Sequence, residues 1–179
     1  DRYIFGFEES YGYLAGSYVR DKDAVVASML ICEMAAFYRT KGISLIQARE
    51  NMYKKYGVYV HSQSSFVCEG VTGMERMKEI MSDLRTNTPK TIGGLTVTRF
   101  EDYLASTSVD TATGAKTMLT LPKSDVLTFK LTDGASVIIR PSGTEPKIKA
   151  YYTTTGTTKA EAAALEKTIS DDFAKILGF

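Results

Sequence analysis

Residues 125–155 read DVLTFKLTDGASVIIRPSGTEPKIKAYYTTT. Leu127, Phe129 and Leu131 alternate with Thr128, Lys130 and Thr132, the period of a half-buried strand. Asp133-Gly134 is a tight hairpin signal. Val137 and Ile139 carry the next strand, and Ile148, Ala150 and Tyr152 the third. Thr158 and Glu161 then form a capping box for a helix with the stripe Leu165, Ile169, Phe173 and Leu177. On the other side, LTVTRFEDYL (95–104) alternates like a strand. Pro89 and Gly93-Gly94 separate it from a helix whose stripe is Met74, Met77, Met81 and Leu84, opened by a Thr72–Glu75 capping box. Methionines at that spacing read as core filler. The order helix, strands, helix predicts an α+β domain, an antiparallel sheet with helices on one face.

The first third has another texture. YIFGF (3–7) reads as a buried strand end, and Gly6, Gly12 and Gly16 mark a loop. Asp23 caps a helix with the stripe Val26, Leu30, Met34 and Phe37, which ends at Gly42. Ser44 and Gln47 form a capping box for a second helix that stops at Gly57. VYVHSQSSFVCEG (58–70) mixes strand and linker character. A domain boundary is therefore expected near residues 60–66, dividing the chain into 1–62, the end of an α/β domain, and 63–179.

The bulk numbers remove whole classes of function. Apolar residues make up 44% of the 179, enough for a sizeable core. Net charge is +1, from 22 basic and 21 acidic residues, which supports neither a nucleic-acid nor a membrane partner. No apolar run reaches membrane-spanning length. Cys32 and Cys68 share no CxxC spacing and read as reduced thiols of a cytoplasmic protein. His61 is the only histidine, which excludes a two-histidine metal site; in its polar stretch it reads as exposed and structural. The opening DRYIFGFEESYGY has neither methionine nor leader and reads as the middle of a domain.

Two loops carry candidate chemistry. In the late one, Arg140 offers a planar fork of donors for phosphate or carboxylate oxygens. Ser142 and Thr144 add hydroxyls, Gly143 admits close approach of the backbone, and Pro141 and Pro146 stiffen the loop. Lys147 and Lys149 add positive charge. Pro, Ser, Gly and Thr are equally ordinary turn residues. In the early loop, GFEESYGYLAGSYVRDKD (6–23), Glu8, Glu9 and Ser10 follow an apolar strand, where ligands of α/β domains commonly bind. Glu8 and Ser10 suit sugar hydroxyls, and Tyr11 and Tyr13 suit a sugar ring. Lys22, between Asp21 and Asp23, suits substrate oxygens or assisted proton transfer. A solvated charge cluster with Asp23 as a plain cap is the structural alternative.

GFEESYGY, then VRDKDAV, then RPSGTEP before an Ile-x-x-Tyr strand, together resemble the α-D-phosphohexomutases, in order across nearly the whole chain. Within that superfamily the chain is most similar to the phosphoglucomutase branch. The resemblance implies a four-domain parent, with this chain holding the end of the third domain and the whole fourth. It implies that Glu8 and Ser10 hold sugar hydroxyls, that Lys22 lies close to the reacting centre as an auxiliary catalytic group, and that Arg140, Ser142, Gly143 and Thr144 bind the substrate phosphate. It further implies magnesium in the full-length enzyme, bound outside this segment, and a hexose 1,6-bisphosphate as intermediate or activator. Phe7 and Tyr11 depart from the shorter GEESG or GEMSG loops. The family's TASHNP-like serine loop and DGDGDR-like metal loop do not occur in the sequence.

The implied function is the substrate-binding part of an enzyme interconverting glucose 1-phosphate and glucose 6-phosphate, the segment alone being inactive. The same chemistry on mannose, glucosamine or pentose phosphates, and a non-catalytic phosphosugar-binding module, stay open at this point. The expected partners are a phosphosugar and the upstream domains of the same protein.

Overall fold

The computed structural model describes residues 3–8 and 11–179. It divides into two compact units, Asp1–Tyr56 and Gly57–Phe179. In the first, strands β1 (Phe5–Phe7) and β2 (Tyr13–Ala15) form an antiparallel hairpin. Helices α1 (Ala24–Thr40) and α2 (Leu45–Tyr56) follow. Asp23 caps α1, accepting from the Val25 and Val26 amides at 2.9 and 3.1 Å. Ser44 and Gln47 form the expected reciprocal box at α2. The hairpin corrects one expectation. Phe5 and Phe7 are half-exposed and exposed, because a two-stranded ribbon has no second layer to cover it. His61 lies in a strand of the second unit, not in a linker.

The second unit contains β3 (Val58–Val67), α3 (Gly73–Thr86), β4 (Thr91–Ile92), β5 (Leu95–Asp102), β6 (Thr107–Asp110), β7 (Lys116–Met118), β8 (Leu127–Leu131), β9 (Ser136–Pro141), β10 (Lys147–Gly156) and α4 (Lys159–Leu177). Among the described residues they build an eight-stranded antiparallel sheet in the order β3-β10-β9-β8-β5-β6-β7, with β4 paired to β5. The alternation read at 127–152 is the burial pattern found. Leu127, Phe129, Val137, Ile139, Ile148, Ala150 and Tyr152 are buried and share one cluster with Met81 and Leu84 of α3 and Ile169 and Phe173 of α4. The expected α+β sheet with its helices on one face is the architecture observed. Asp133 (φ 57°) and Gly134 (φ 72°) make the β8–β9 turn left-handed, as a two-residue hairpin requires.

Two details differ from expectation. The boundary drawn at 62 falls inside β3, which pairs along its whole length with β10 from Lys147↔Val67 to Gly156↔Val58. Thr72 sits at φ −89°, ψ 6°, not the extended conformation a capping residue needs, and its side chain caps nothing. No helix among the described residues is long and apolar enough to cross a membrane. Cys32 and Cys68 are both free thiols, the first exposed and the second buried.

Candidate functional site

β9 carries Arg140 and ends at Pro141, and β10 takes the chain back at Lys147, so residues 142–146 are a hairpin loop clamped at its base. Ser142 N donates to Lys147 O at 2.8 Å. The Ser142 hydroxyl oxygen accepts from the amides of Thr144 (3.4 Å) and Glu145 (3.3 Å), an internal turn that leaves its own proton to donate. Lys147 pairs with Glu145, and that pairing holds the Glu145 carboxyl below its ordinary range.

Arg140 is different. It is exposed, and among the described residues its side chain has no hydrogen bond or ion pair. It lines a cleft of about 630 Å³, to which the loop also gives Ser142 and Gly143, and α3 gives Met74, Met77 and Lys78. Gly143 has no positive φ, and a Cβ added there would meet nothing within 4 Å. The fold does not require glycine at this position; its bareness serves open space beside the cleft. The sequence reading missed Lys78 and Met74 as cleft residues. The only signal was their i, i+4 spacing on a helix facing the loop.

The early loop forms its own site within the first unit. Glu8 N donates to Gly12 O at 2.8 Å, closing a tight loop. Lys22 Nζ lies 3.7 Å from Glu8 Oε2 and 3.7 Å from Asp21 Oδ1, with about half of each Lys22 and Glu8 side chain exposed. Gly12 makes the approach possible, since a Cβ there would stand 2.6 Å from Lys22 Cγ and 3.1 Å from Glu8 Oε2. Glu8, Gly12, Tyr13, Arg20 and Lys22 line a cleft of about 270 Å³. Tyr11 is exposed, at φ 63°. Glu9 and Ser10 lie outside the described residues. Asp23 is the α1 cap and also accepts from the Tyr18 hydroxyl, the main cause that lowers its pKa. Thus Glu8 and Lys22 come together in one cleft, and Arg140, Ser142 and Gly143 line another. Thr144 stands exposed at the loop tip.

Among the described residues, no group of three His, Cys, Asp or Glu side chains comes together that could hold a metal ion.

Comparison with known proteins gives consistent findings. A family model described as phosphoglucomutase/phosphomannomutase, alpha/beta/alpha domain III, matches residues 1–56. One described as phosphoglucomutase/phosphomannomutase, C-terminal domain, matches residues 75–171. A phosphoglucomutase of Staphylococcus aureus is 40% identical over 148 residues, covering 83% of this chain and 27% of the relative. One of Staphylococcus epidermidis is 37% identical over 149 residues, with the same coverage. The chain thus spans about a quarter of the length of the curated relatives it matches. The open form of the Paramecium phosphoprotein pp63/parafusin, a phosphoglucomutase, superposes with a TM-score of 0.64 at 18% identity, over 95% of this chain and 29% of that one. That last likeness is one of fold.

Proposed function

Since the chain belongs to the phosphoglucomutase/phosphomannomutase family, we propose that it is the substrate-holding carboxy-terminal part of a cytoplasmic phosphohexose mutase acting on glucose 1-phosphate and glucose 6-phosphate. In this reading residues 1–56 are the end of the sugar-reading third domain, and the sheet unit from residue 57 is the phosphate-binding fourth domain. Upstream domains of the same protein carry the phosphoserine and the magnesium ion, which supply the phosphoryl chemistry, with a hexose 1,6-bisphosphate as intermediate.

The residues here bind and orient. Arg140 grips the phosphate that is not reacting, with Ser142 Oγ and Thr144 donating and Gly143 admitting the oxygens to the backbone. Phosphoryl transfer depends chiefly on positioning and charge stabilisation, so a grip remote from the reacting centre lowers the barrier by orienting it. Glu8 and Ser10 read sugar hydroxyls. Lys22, held by Glu8 and Asp21, is placed to meet substrate oxygens once a hydroxyl competes for Glu8.

The observation that carries this reading is the unpartnered Arg140 at the cleft. In the full-length enzyme, Arg140→Ala is expected to raise KM for glucose 1-phosphate at least tenfold. An unchanged KM makes the loop a plain turn and overturns the reading.

A further inference from the structure

The phosphate loop does not stand alone, because α3 is built onto it. A Cβ at Gly73 would come within 2.0 Å of the Cys68 carbonyl oxygen and 3.0 Å of Pro146 Cβ. Cys68 N donates to Pro146 O at 2.7 Å. Only glycine fits there, and the jam sets the start of α3 against the loop. Met74 and Lys78 lie one turn apart on the helix face that results, and both line the cleft that holds Arg140 and Ser142.

The charges of that cleft do not cancel. Asp125, its carboxylate, is occupied by Arg85, which also binds Asp102 Oδ2 at 3.0 Å. Lys78 and Arg140 have no ion pair or side-chain hydrogen bond among the described residues. Two cations thus face one space with a single carboxylate, Asp125, which Arg85, shared with Asp102, only partly neutralises. A phosphate monoester carries about −1.5 to −2 charges near neutral pH. The two cations outnumber the one carboxylate of the cleft and meet such an anion from two directions, a rigid fork at a strand end and a flexible point charge on a helix.

We propose that Lys78 is a second phosphate-binding cation, contacting the anion held at Arg140, Ser142 and Thr144. This rests on reading that loop as a phosphate site.

The test is a titration of the 179-residue chain with inorganic phosphate at pH 8, followed at the Gly143 amide resonance. Lys78→Met is expected to weaken binding about tenfold, and Lys78→Arg to keep it within about threefold. Melting temperatures are expected to match that of the unaltered chain, since Lys78 is exposed. If Lys78→Met binds phosphate normally while Arg140→Met loses it, Lys78 is a bystander and the phosphate reading stands. If Arg140→Met also binds normally, or the unaltered chain shows no binding, the phosphate reading fails and this inference with it.

Discussion

Gly93 and Gly143 are both glycines beside a turn, with opposite requirements. Gly93 sits at φ 59°, its amide donates to Asp172 Oδ2 at 2.7 Å, and a Cβ would stand 2.8 Å from Ile169 Cα. Gly93→Ala combines a left-handed residue with overpacking and is expected to cost about 2–4 kcal/mol by urea unfolding. Gly143→Ala meets nothing and is expected to stay within about 0.5 kcal/mol of the unaltered chain while weakening phosphate binding. A large stability loss at Gly143 would return that glycine to the fold. The sequence shows two glycines in turn contexts. It cannot show that one is packed on a helix about 75 residues later and the other is not.

Tyr152 is another residue whose state only the fold decides. Its ring packs in the core against Phe173 and its hydroxyl is buried without a hydrogen-bond partner among the described residues, and burial raises its pKa. Removing a hydroxyl that pairs with nothing costs little, so Tyr152→Phe is expected to leave stability unchanged or raise it by about 1 kcal/mol. A loss above about 1.5 kcal/mol would reveal a partner, for which the Ser64 hydroxyl is the candidate.

At the scale of elements, helix caps were legible where local geometry decides them. Asp23, Ser44–Gln47 and Thr158–Glu161 cap as their spacing says. Thr72–Glu75 has the same spacing and does not, because Gly73 must jam against Cys68 and Pro146 and bends Thr72 out of the extended region. β3 was half-hidden for a related reason. Its outward residues Tyr59, His61, Gln63 and Ser65 are polar or amphipathic, and inward Ser62 and Ser64 are polar too. Ser62 donates to Glu166 of α4, a contact 104 residues distant in sequence. Such a strand looks like a linker until its partners are known.

The working cap at α4 has a pH signature. The Thr157 hydroxyl, and then the Thr157 and Thr158 amides, hold the Glu161 carboxyl below its ordinary range. Its contribution is complete above the ordinary carboxyl range near pH 4.3 and is lost as pH falls through the depressed folded value. Amide exchange in the first turn of α4 is expected to accelerate in that acid window, and Glu161→Gln is expected to flatten the dependence. Thr158→Ala should destabilise the chain by about 1 kcal/mol, and Thr72→Ala hardly at all.

For the whole molecule, the two units differ in kind. The sheet unit closes a core of its own around Phe129, Tyr152 and Phe173. In the first unit α1 buries no residue, although it carries the apolar stripe Val26, Leu30, Met34 and Phe37; Met34 and Phe37 are 42% and 52% exposed. Stability follows buried apolar surface, so amides of α1 and α2 are expected to exchange faster than those of β8, β9 and β10 by mass spectrometry. Equal protection would mean that the first unit is held by contacts the structure does not describe. The late site was legible as a motif, because Arg140 and its loop are contiguous. The α3 side of the cleft was not, because a lysine on a methionine-striped helix looks like any solvated face.

The central claim is that this chain grips a sugar phosphate by its phosphate, at the β9–β10 loop. The direct measurement is a nitrogen-15 amide map of the 179-residue chain titrated in parallel with glucose 6-phosphate and with glucose. The account predicts shifts at residues 140–144 and at Met74–Lys78 with the phosphate ester, and none at those residues with glucose. Equal shifts with both sugars, or shifts that avoid residues 140–144, would contradict it.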